Sequence, residues 1–166
     1  FGSLVHIRFE SSHGLAFKKG FKEDWRAKSS SGVGQLVAVH FYNFILNLTR
    51  NKNQFKPYYS KENHSGVRNA VDTINILSNK NSKTKFSILC SYACPYDISI
   101  KIHGTNGIIT YDGEIIKFYS PRNTLNNNGR YCRPPLINEI KLNHSNQWKE
   151  SLSRSVNFFL KTVIAN

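Results

Sequence analysis

The sequence lacks the usual marks of membrane, secreted and metal-binding proteins. No apolar run approaches the roughly 18 residues that a bilayer crossing needs, because polar residues interrupt the longest one, 36–48. The three cysteines, Cys90, Cys94 and Cys132, are an odd and sparse set that makes no disulfide framework, and one C-x-x-x-C pair without a second pair is a poor zinc signal. The start of the chain carries no secretory signal. We therefore predict a cytoplasmic protein with reduced thiols, no membrane span and no metal.

Methionine is also absent from the 166 residues, which predicts a segment of a longer protein. A chain of this length suits one domain with an ordinary core, and neither a linker nor an internal repeat divides it. Hydrophobic residues make up 39% and aromatic residues 13%, so a disordered chain is excluded. We treat residues 1–166 as a single domain.

Acidic residues are few, and 23 Lys and Arg against 10 Asp and Glu give a net charge of +13. Such a balance is typical of nucleic-acid-binding proteins. Here, however, the lysines are scattered without a sustained run, and they accompany abundant Asn, Ile, Phe and Tyr. AT-rich codon usage raises all these residues together, whereas a phosphate-binding surface would raise only the basic ones. Nucleic acid is thus a disfavoured partner.

Hydrophobic periodicity predicts a mixed fold. Residues 4–10 alternate as a strand, and a largely apolar helix is expected from Val33 to about Arg50. Residues 84–119 read as an antiparallel meander with turns at Asn106-Gly107 and Asp112-Gly113. A strand is indicated over 54–60, residues 68–78 fit strand and helix equally, and 120–145 are predicted to be irregular. The last helix carries an apolar stripe, formed by Trp148, Leu152, Val156, Phe159 and Val163.

This order of elements predicts an α+β fold: an open, mainly antiparallel β-sheet of about six strands with the helices packed on one face. The opposite face of the sheet would then meet water or a partner. In 97–103 that face carries Asp97, Ser99, Lys101 and His103, so the expected partner surface is polar.

Several stretches resemble the glucose–fructose oxidoreductase/inositol dehydrogenase (Gfo/Idh/MocA) family. They are the Trp25-Arg26 pair, the Gly-rich start and helix Gly32-Val33-Gly34-Gln35-Leu36-Val37-Ala38-Val39-His40-Phe41-Tyr42-Asn43, the strand entry Val71-Asp72-Thr73, the hairpin His103-Gly104-Thr105-Asn106-Gly107, and the closing helix from Trp148. These landmarks occur in the family's order and span nearly the whole chain. The resemblance implies the family's dihydrodipicolinate reductase-like C-terminal domain.

The resemblance also implies a two-domain parent protein. Its N-terminal Rossmann domain would bind NAD or NADP, while the C-terminal domain supplies part of a sugar site and pairs subunits into a homo-oligomer through its sheet. This chain has no G-x-G-x-x-G after a strand, so the cofactor is expected on the missing domain. The family's E-K-P lysine belongs to that domain as well. We therefore do not expect this chain alone to turn over substrate.

By the resemblance, His40 stands where the family has its catalytic histidine. Its ordinary pKa, about 6.5, suits a group that accepts a hydroxyl proton during hydride transfer. Asn43 lies three residues later on the same helical side and is expected to bind a substrate hydroxyl or to orient the imidazole. Leu36 and Asn43 stand where the family often has Asp, so no carboxylate would support the imidazole. The competing interpretation is that His40 packs in the core.

Other residues are weaker candidates for the site. Trp25 and Arg26 are expected to stack on and hydrogen-bond a sugar, or else to pack at the sheet edge. Three tyrosines are candidates for a sugar cleft: Tyr58, Tyr59 and Tyr119. Three histidines are predicted to lie in solvated loops: His13, His64 and His144.

Two functions remain open at this point. The first is the substrate-binding and dimerisation domain of an oxidoreductase acting on a sugar, nucleotide sugar or cyclitol. The second is a non-catalytic protein-interaction module that pairs subunits and has lost the active site.

Overall fold

Alternation in the first strand builds the centre of the sheet. The computed structural model describes residues 1–28, 32–49 and 56–164. Within β1 (Leu4–Ser12), Ile7 and Phe9 are fully buried. Arg8 is exposed, and Glu10 is partly exposed. A side-chain period of two places the apolar pair on one face and the charged pair on the other.

Eight strands form one open sheet in the order β2-β3-β4-β1-β5-β6-β7-β8. Their bounds, after β1, are β2 Tyr58–Glu62, β3 Thr73–Leu77, β4 Lys85–Ser91, β5 Asp97–Gly104, β6 Gly107–Tyr111, β7 Ile115–Tyr119 and β8 Leu136–Lys141. Only β1 and β4 pair in parallel; every other neighbouring pair is antiparallel. The predicted α+β class with an open, mainly antiparallel sheet is confirmed.

The predicted first helix divides into two parts. Residues Gly34–Ala38 form a π-helical turn, and α1 follows over Val39–Thr49. In α1, Ile45 is fully buried, and Phe41 and Phe44 bring their rings to 5.0 and 5.5 Å from that of Phe9 on β1. α1 therefore lies across the centre of the sheet. We call the side that it covers the helix face and the opposite side the open face.

The core lies between α1 and the central strands. Besides Ile7 and Phe9, its most buried large side chains on the sheet are Phe86 and Ile88 of β4. Ile7 is in register with Phe86 and Phe9 with Ile88, so all four point to the helix face. On β5, residue Ile100 pairs with Phe9 and extends this apolar face.

The second helix, α2 (His144–Ile164), contributes less to the core. Its described apolar side chains are exposed: Leu152, Val156, Phe158 and Leu160. The side chains of Trp148, Phe159 and Val163 from the predicted stripe lie outside the described residues. On the helix face of β5–β7, a cavity of about 320 Å³ stays open beside Phe44. Neither helix, over the part that the structure describes, has the length and apolar character for a membrane crossing.

Three sequence expectations need correction. The sheet has eight strands rather than about six. Residues 120–145 are not irregular throughout, because β8 pairs with β7 there. All six residues of β8 are exposed, so no buried face gave this strand a periodic signal. The β5–β6 turn consists of Thr105 and Asn106, one residue earlier than predicted, since Gly104 pairs with Gly107. The Asp112-Gly113 turn is present, with Gly113 at φ +98°.

Candidate functional site

The candidate site lies at the end of the sheet where the neighbouring parallel strands β1 and β4 have their carboxyl ends. Parallel neighbours bring their carboxyl ends to the same edge, which is where open sheets with parallel strands usually bind ligands. His13 follows β1, and Tyr92 follows β4. The His13 amide donates to the carbonyl of Ser91 at 3.0 Å, and the two rings lie 4.9 Å apart between centroids.

The electrostatics at this edge connect His13, Tyr92 and Arg26. Burial lowers the pKa of His13, and the positive charges of Lys18 and Arg26 lower it further. Burial raises the pKa of Tyr92, while the charge of Arg26 acts in the opposite direction. Arg26 thus lies within electrostatic range of both rings.

Trp25 and Arg26 occupy a short 3₁₀ turn, Trp25–Ala27, beside this pair. Asp24 caps the turn: its Oδ1 accepts from the Arg26 amide at 2.8 Å, and its carboxylate lies 3.4 Å from the guanidinium. The guanidinium also lies over the Trp25 ring, 4.6 Å from the centroid. Trp25 remains 49% exposed. The pair presents a flat cationic and aromatic surface that a polyhydroxylated or anionic ligand could contact.

His40 and Asn43 lie on the exposed side of α1. Both residues are exposed, whereas Phe41 and Ile45 turn towards the sheet. The three-residue spacing places them on one side of the helix. Among the residues that the structure describes, no hydrogen bond or ion pair joins His40 to Asn43, or either residue to the Trp25–Ala27 turn. His40 therefore does not pack in the core, and its catalytic role stays a prediction.

The buried carboxylate of Asp72 holds the loop at His64 and Ser65 against the start of β3. It accepts from the amides of His64 and Ser65 at 3.0 and 2.8 Å and from the Thr73 hydroxyl at 3.1 Å. Burial alone would raise the pKa of Asp72, but these donors together hold it below the ordinary value. Asp72 is fully buried and fully committed to these bonds, so its role is structural.

His13 is the residue that sequence reasoning placed wrongly. It was expected in a solvated loop, but it is partly buried and its ring packs on Tyr92. The parallel pairing of β1 with β4 brings His13 and Tyr92 together. No local sequence pattern predicts a pairing between strands that are more than seventy residues apart. His64 is exposed as expected, with Nε2 2.9 Å from Glu62. The side chain of His144 lies outside the described residues.

The three candidate tyrosines do not share a cleft. Tyr59 lines a groove of about 310 Å³ beside α1, together with Gln35, Tyr42 and Lys61. Tyr58 is the strand neighbour of Tyr59 and points to the open face. Tyr119 pairs with Ile108 and also lies on the open face.

No protein-family model and no curated protein matches this chain. Solved structures with a similar fold include levoglucosan dehydrogenase in complex with NADH, at TM-score 0.65 and 13% identity over 87% of this chain and 41% of that one. UDP-N-acetylglucosamine 3-dehydrogenase from Acidithiobacillus ferrooxidans has TM-score 0.61 and 14% identity, over 99% and 46% of the two chains. An oxidoreductase from Agrobacterium radiobacter in complex with NAD+, L-tartaric acid and magnesium has TM-score 0.59 and 16% identity, over 74% and 36%.

At these identities the likeness establishes the fold. The chain shares its fold with part of each of these three proteins, and it spans less than half of their length. The sequence-level resemblance to the Gfo/Idh/MocA family agrees with this fold.

Two glycines before α1 pack closely against β3 and its entry. A Cβ on Gly32 would lie 2.7 Å from the carbonyl oxygen of Val71, and one on Gly34 would lie 2.9 Å from Ile74. Both glycines are therefore required by close packing against β3 and its entry. Within the described residues, no group of three or more metal-ligating side chains is present.

Proposed function

We propose that this chain is the substrate-binding and subunit-pairing domain of an NAD(P)-dependent oxidoreductase that acts on a sugar, nucleotide sugar or cyclitol. The observation that carries the proposal is the fold shared with three oxidoreductases over 74–99% of this chain. Two of them act on carbohydrate substrates by name. The lack of a G-x-G-x-x-G after a strand in this sequence supports assigning the dinucleotide to a separate domain.

The chemistry of the proposal rests on residues that lie outside the core. The nicotinamide on the other domain would accept a hydride from a carbinol carbon. His40 takes the proton of that hydroxyl, and Asn43 holds a neighbouring hydroxyl through its amide. The Trp25 ring and the Arg26 guanidinium contact the ring or an anionic group of the substrate. Because neither Leu36 nor Asn43 carries a charge, the imidazolium gains no support from a carboxylate one turn away.

The open face supports the pairing part of the proposal. No helix among the described residues covers it, and β1 and β5 present polar side chains there. Two copies meeting through this face would bury a polar rather than an apolar surface, as the sequence predicted. Sedimentation that shows only monomer at high micromolar concentration would contradict pairing.

The catalytic part is tested in the protein that contains this chain together with its dinucleotide-binding domain. Formation of reduced nicotinamide is followed with a panel of sugars, nucleotide sugars and cyclitols. We expect His40→Ala to lower kcat by roughly a hundredfold with little change in melting temperature. The control is His64→Ala, which removes an exposed imidazole from the strand edge and should leave kcat unchanged. Normal turnover with lowered stability in His40→Ala would contradict the catalytic role.

A second candidate function is a pairing module without catalysis. The uncharged pair Leu36 and Asn43 favours it, since nothing near His40 on its helix can stabilise a protonated imidazole by charge. That function predicts self-association through the sheet without turnover of any carbohydrate in the panel. It also predicts that His40→Ala and Asn43→Ala leave association unchanged, because both residues lie on the helix side.

A further inference from the structure

Three cationic side chains stand in one row across the open face. The strand register places Arg8 of β1 opposite Lys101 of β5, Lys101 opposite Thr110 of β6, and Thr110 opposite Lys117 of β7. Residues in register on neighbouring strands share a face and lie one strand spacing apart. Like charges directly opposite each other, such as Arg8 and Lys101, are destabilising.

A fourth cation closes the row at one side. The guanidinium of Arg133 lies over the Tyr119 ring, 4.1 Å from its centroid. Tyr119 is two residues after Lys117 and so points to the same face. A guanidinium held flat on an aromatic ring keeps its N–H groups at the rim, where they can bind an oxyanion in bidentate fashion.

The nearby carboxylates are already engaged. Glu10 accepts from Arg8 Nε at 2.9 Å and from the Ser99 hydroxyl at 3.2 Å. Asp112 accepts from the amides of Ile115 and Glu114 at 2.8 and 3.1 Å.

Charge in this region is therefore unbalanced. Asp112 lies 3.8 Å from the ammonium of Lys117, and Glu10 is paired with Arg8. Within the described residues, Lys101 and Arg133 have no ion pair. Four cations and two carboxylates line the depression, and Glu139 of β8 stands in register with Lys117 beside it, so cations outnumber carboxylates by one.

The side chains surround a basin of about 410 Å³ on the open face. We propose that this basin binds a divalent oxyanion, namely a phosphate group that is free or carried by a small molecule. Lys101 and Lys117 supply point charges, Thr110 a hydroxyl donor, and Arg133 a bidentate fork. A volume of this size suits a small molecule rather than a peptide segment.

This site lies on the open face, on the other side of the sheet from His40, and that is the face proposed for pairing, so a bound phosphate would lie at or beside the contact between two copies. Its test does not depend on turnover. The chain is titrated with inorganic phosphate at constant ionic strength set by chloride, and binding is followed by calorimetry and by backbone amide shifts. A second titration uses a sugar phosphate.

We expect saturable phosphate binding, with the amide shifts confined to the neighbourhood of Lys101, Thr110 and Arg133. Lys101→Gln and Arg133→Gln should each weaken binding by roughly tenfold. Arg133→Lys keeps the charge but loses the planar fork, so its affinity should lie between those of wild type and Arg133→Gln. The matched control is Lys80→Gln, which makes the same change in net charge at an exposed turn and should bind as wild type.

Tighter binding of the sugar phosphate than of phosphate would identify a phosphorylated small molecule as the ligand, and equal binding would identify free phosphate. Binding that does not saturate, or that Lys80→Gln weakens as much as Lys101→Gln does, would overturn the proposal in favour of diffuse screening. The proposal is also overturned if the basin variants change sedimentation but not phosphate binding, since the basin would then be a contact between copies. Thermal melts of each variant establish that it is folded.

Discussion

At the scale of single residues, the most constrained polar group is the carboxylate of Asp72. It sits fully buried before β3 and joins the loop at His64 and Ser65 to that strand. Backbone amides that point at a buried carboxylate cannot find another acceptor once it is removed. The cost of losing it is therefore the desolvation of those amides as well as the lost bonds.

We predict that Asp72→Asn lowers the free energy of unfolding by about 2 to 3 kcal/mol. The neutral amide accepts weaker hydrogen bonds and turns an N–H group towards donors. Because folding lowers the pKa of Asp72, its contribution is present above the unfolded value of about 3.9 and is lost as pH falls through the folded pKa. Denaturant unfolding of both proteins near neutral pH measures the difference.

The control for this prediction is Asp112→Asn. Asp112 also has a lowered pKa, owing to the amides of Ile115 and Glu114, but it lies exposed in a turn. Its replacement should therefore cost less than that of Asp72. Equal losses would show that burial of Asp72 does not determine its contribution.

The three thiols should differ sharply in reactivity. Burial raises the pKa of Cys90 to about 12, whereas Cys94 is partly exposed and Cys132 is exposed. Only the thiolate reacts with alkylating reagents. We expect iodoacetamide to modify Cys132 and Cys94 in the folded protein and Cys90 only after unfolding, as peptide mass analysis would reveal. Rapid native alkylation of Cys90 would contradict its buried position in β4.

At the scale of elements, the turns of the meander determine how its strands meet. Gly113 joins β6 to β7 at φ +98°, a conformation that L side chains rarely adopt. A Cβ there would also lie 2.6 Å from Cγ2 of Ile98. This hairpin needs glycine for both backbone conformation and space.

We predict that Gly113→Ala lowers the free energy of unfolding by about 2 to 3 kcal/mol. The matched control is Gly129→Ala, because Gly129 has φ +70° and no other atom lies within 4 Å of the place that a Cβ would take. That variant should lower the free energy of unfolding only by the amount that an L residue loses at positive φ, about 1 kcal/mol. Chemical denaturation of both variants separates the effect of positive φ from the effect of the close contact with Ile98. Equal losses of unfolding free energy would mean that the Ile98 side chain moves aside without lowering stability.

At the scale of the whole molecule, three partly buried histidines make stability depend on pH. Burial, together with neighbouring cations, lowers the pKa of each of them, His6, His13 and His103. The cations are Arg8 beside His6, Lys18 and Arg26 beside His13, and Lys101 beside His103. Each imidazole is therefore harder to protonate in the folded chain than in the unfolded chain.

We predict that the free energy of unfolding falls as pH is lowered below the ordinary histidine value of 6.5. In that window the unfolded chain binds more protons than the folded chain, so stability rises with pH and is complete above 6.5. Denaturant titrations at several pH values test this dependence. His103→Gln should flatten the slope. A flat wild-type profile between about pH 5 and about pH 7 would contradict the prediction.

Much of the fold was predictable where the signal is local. The alternation of Val5, Ile7 and Phe9 marked β1, and the Asp112-Gly113 pair marked the β6–β7 turn. β8 was missed because its six residues are exposed and only pairing with β7 defines it. The π-helical start of the first helix was missed because its apolar residues fit an α-helical period equally well.

For the candidate site, the sequence by itself determined the residue types and their spacing along the chain. It placed His40 and Asn43 three residues apart on one helix and Trp25 beside Arg26, because helical periodicity and chain neighbourhood are covalent properties. Only the tertiary structure brought His13 to Tyr92 and aligned Arg8 with Lys101. These contacts depend on which strands hydrogen-bond to each other, and the packing of the whole sheet determines that pairing.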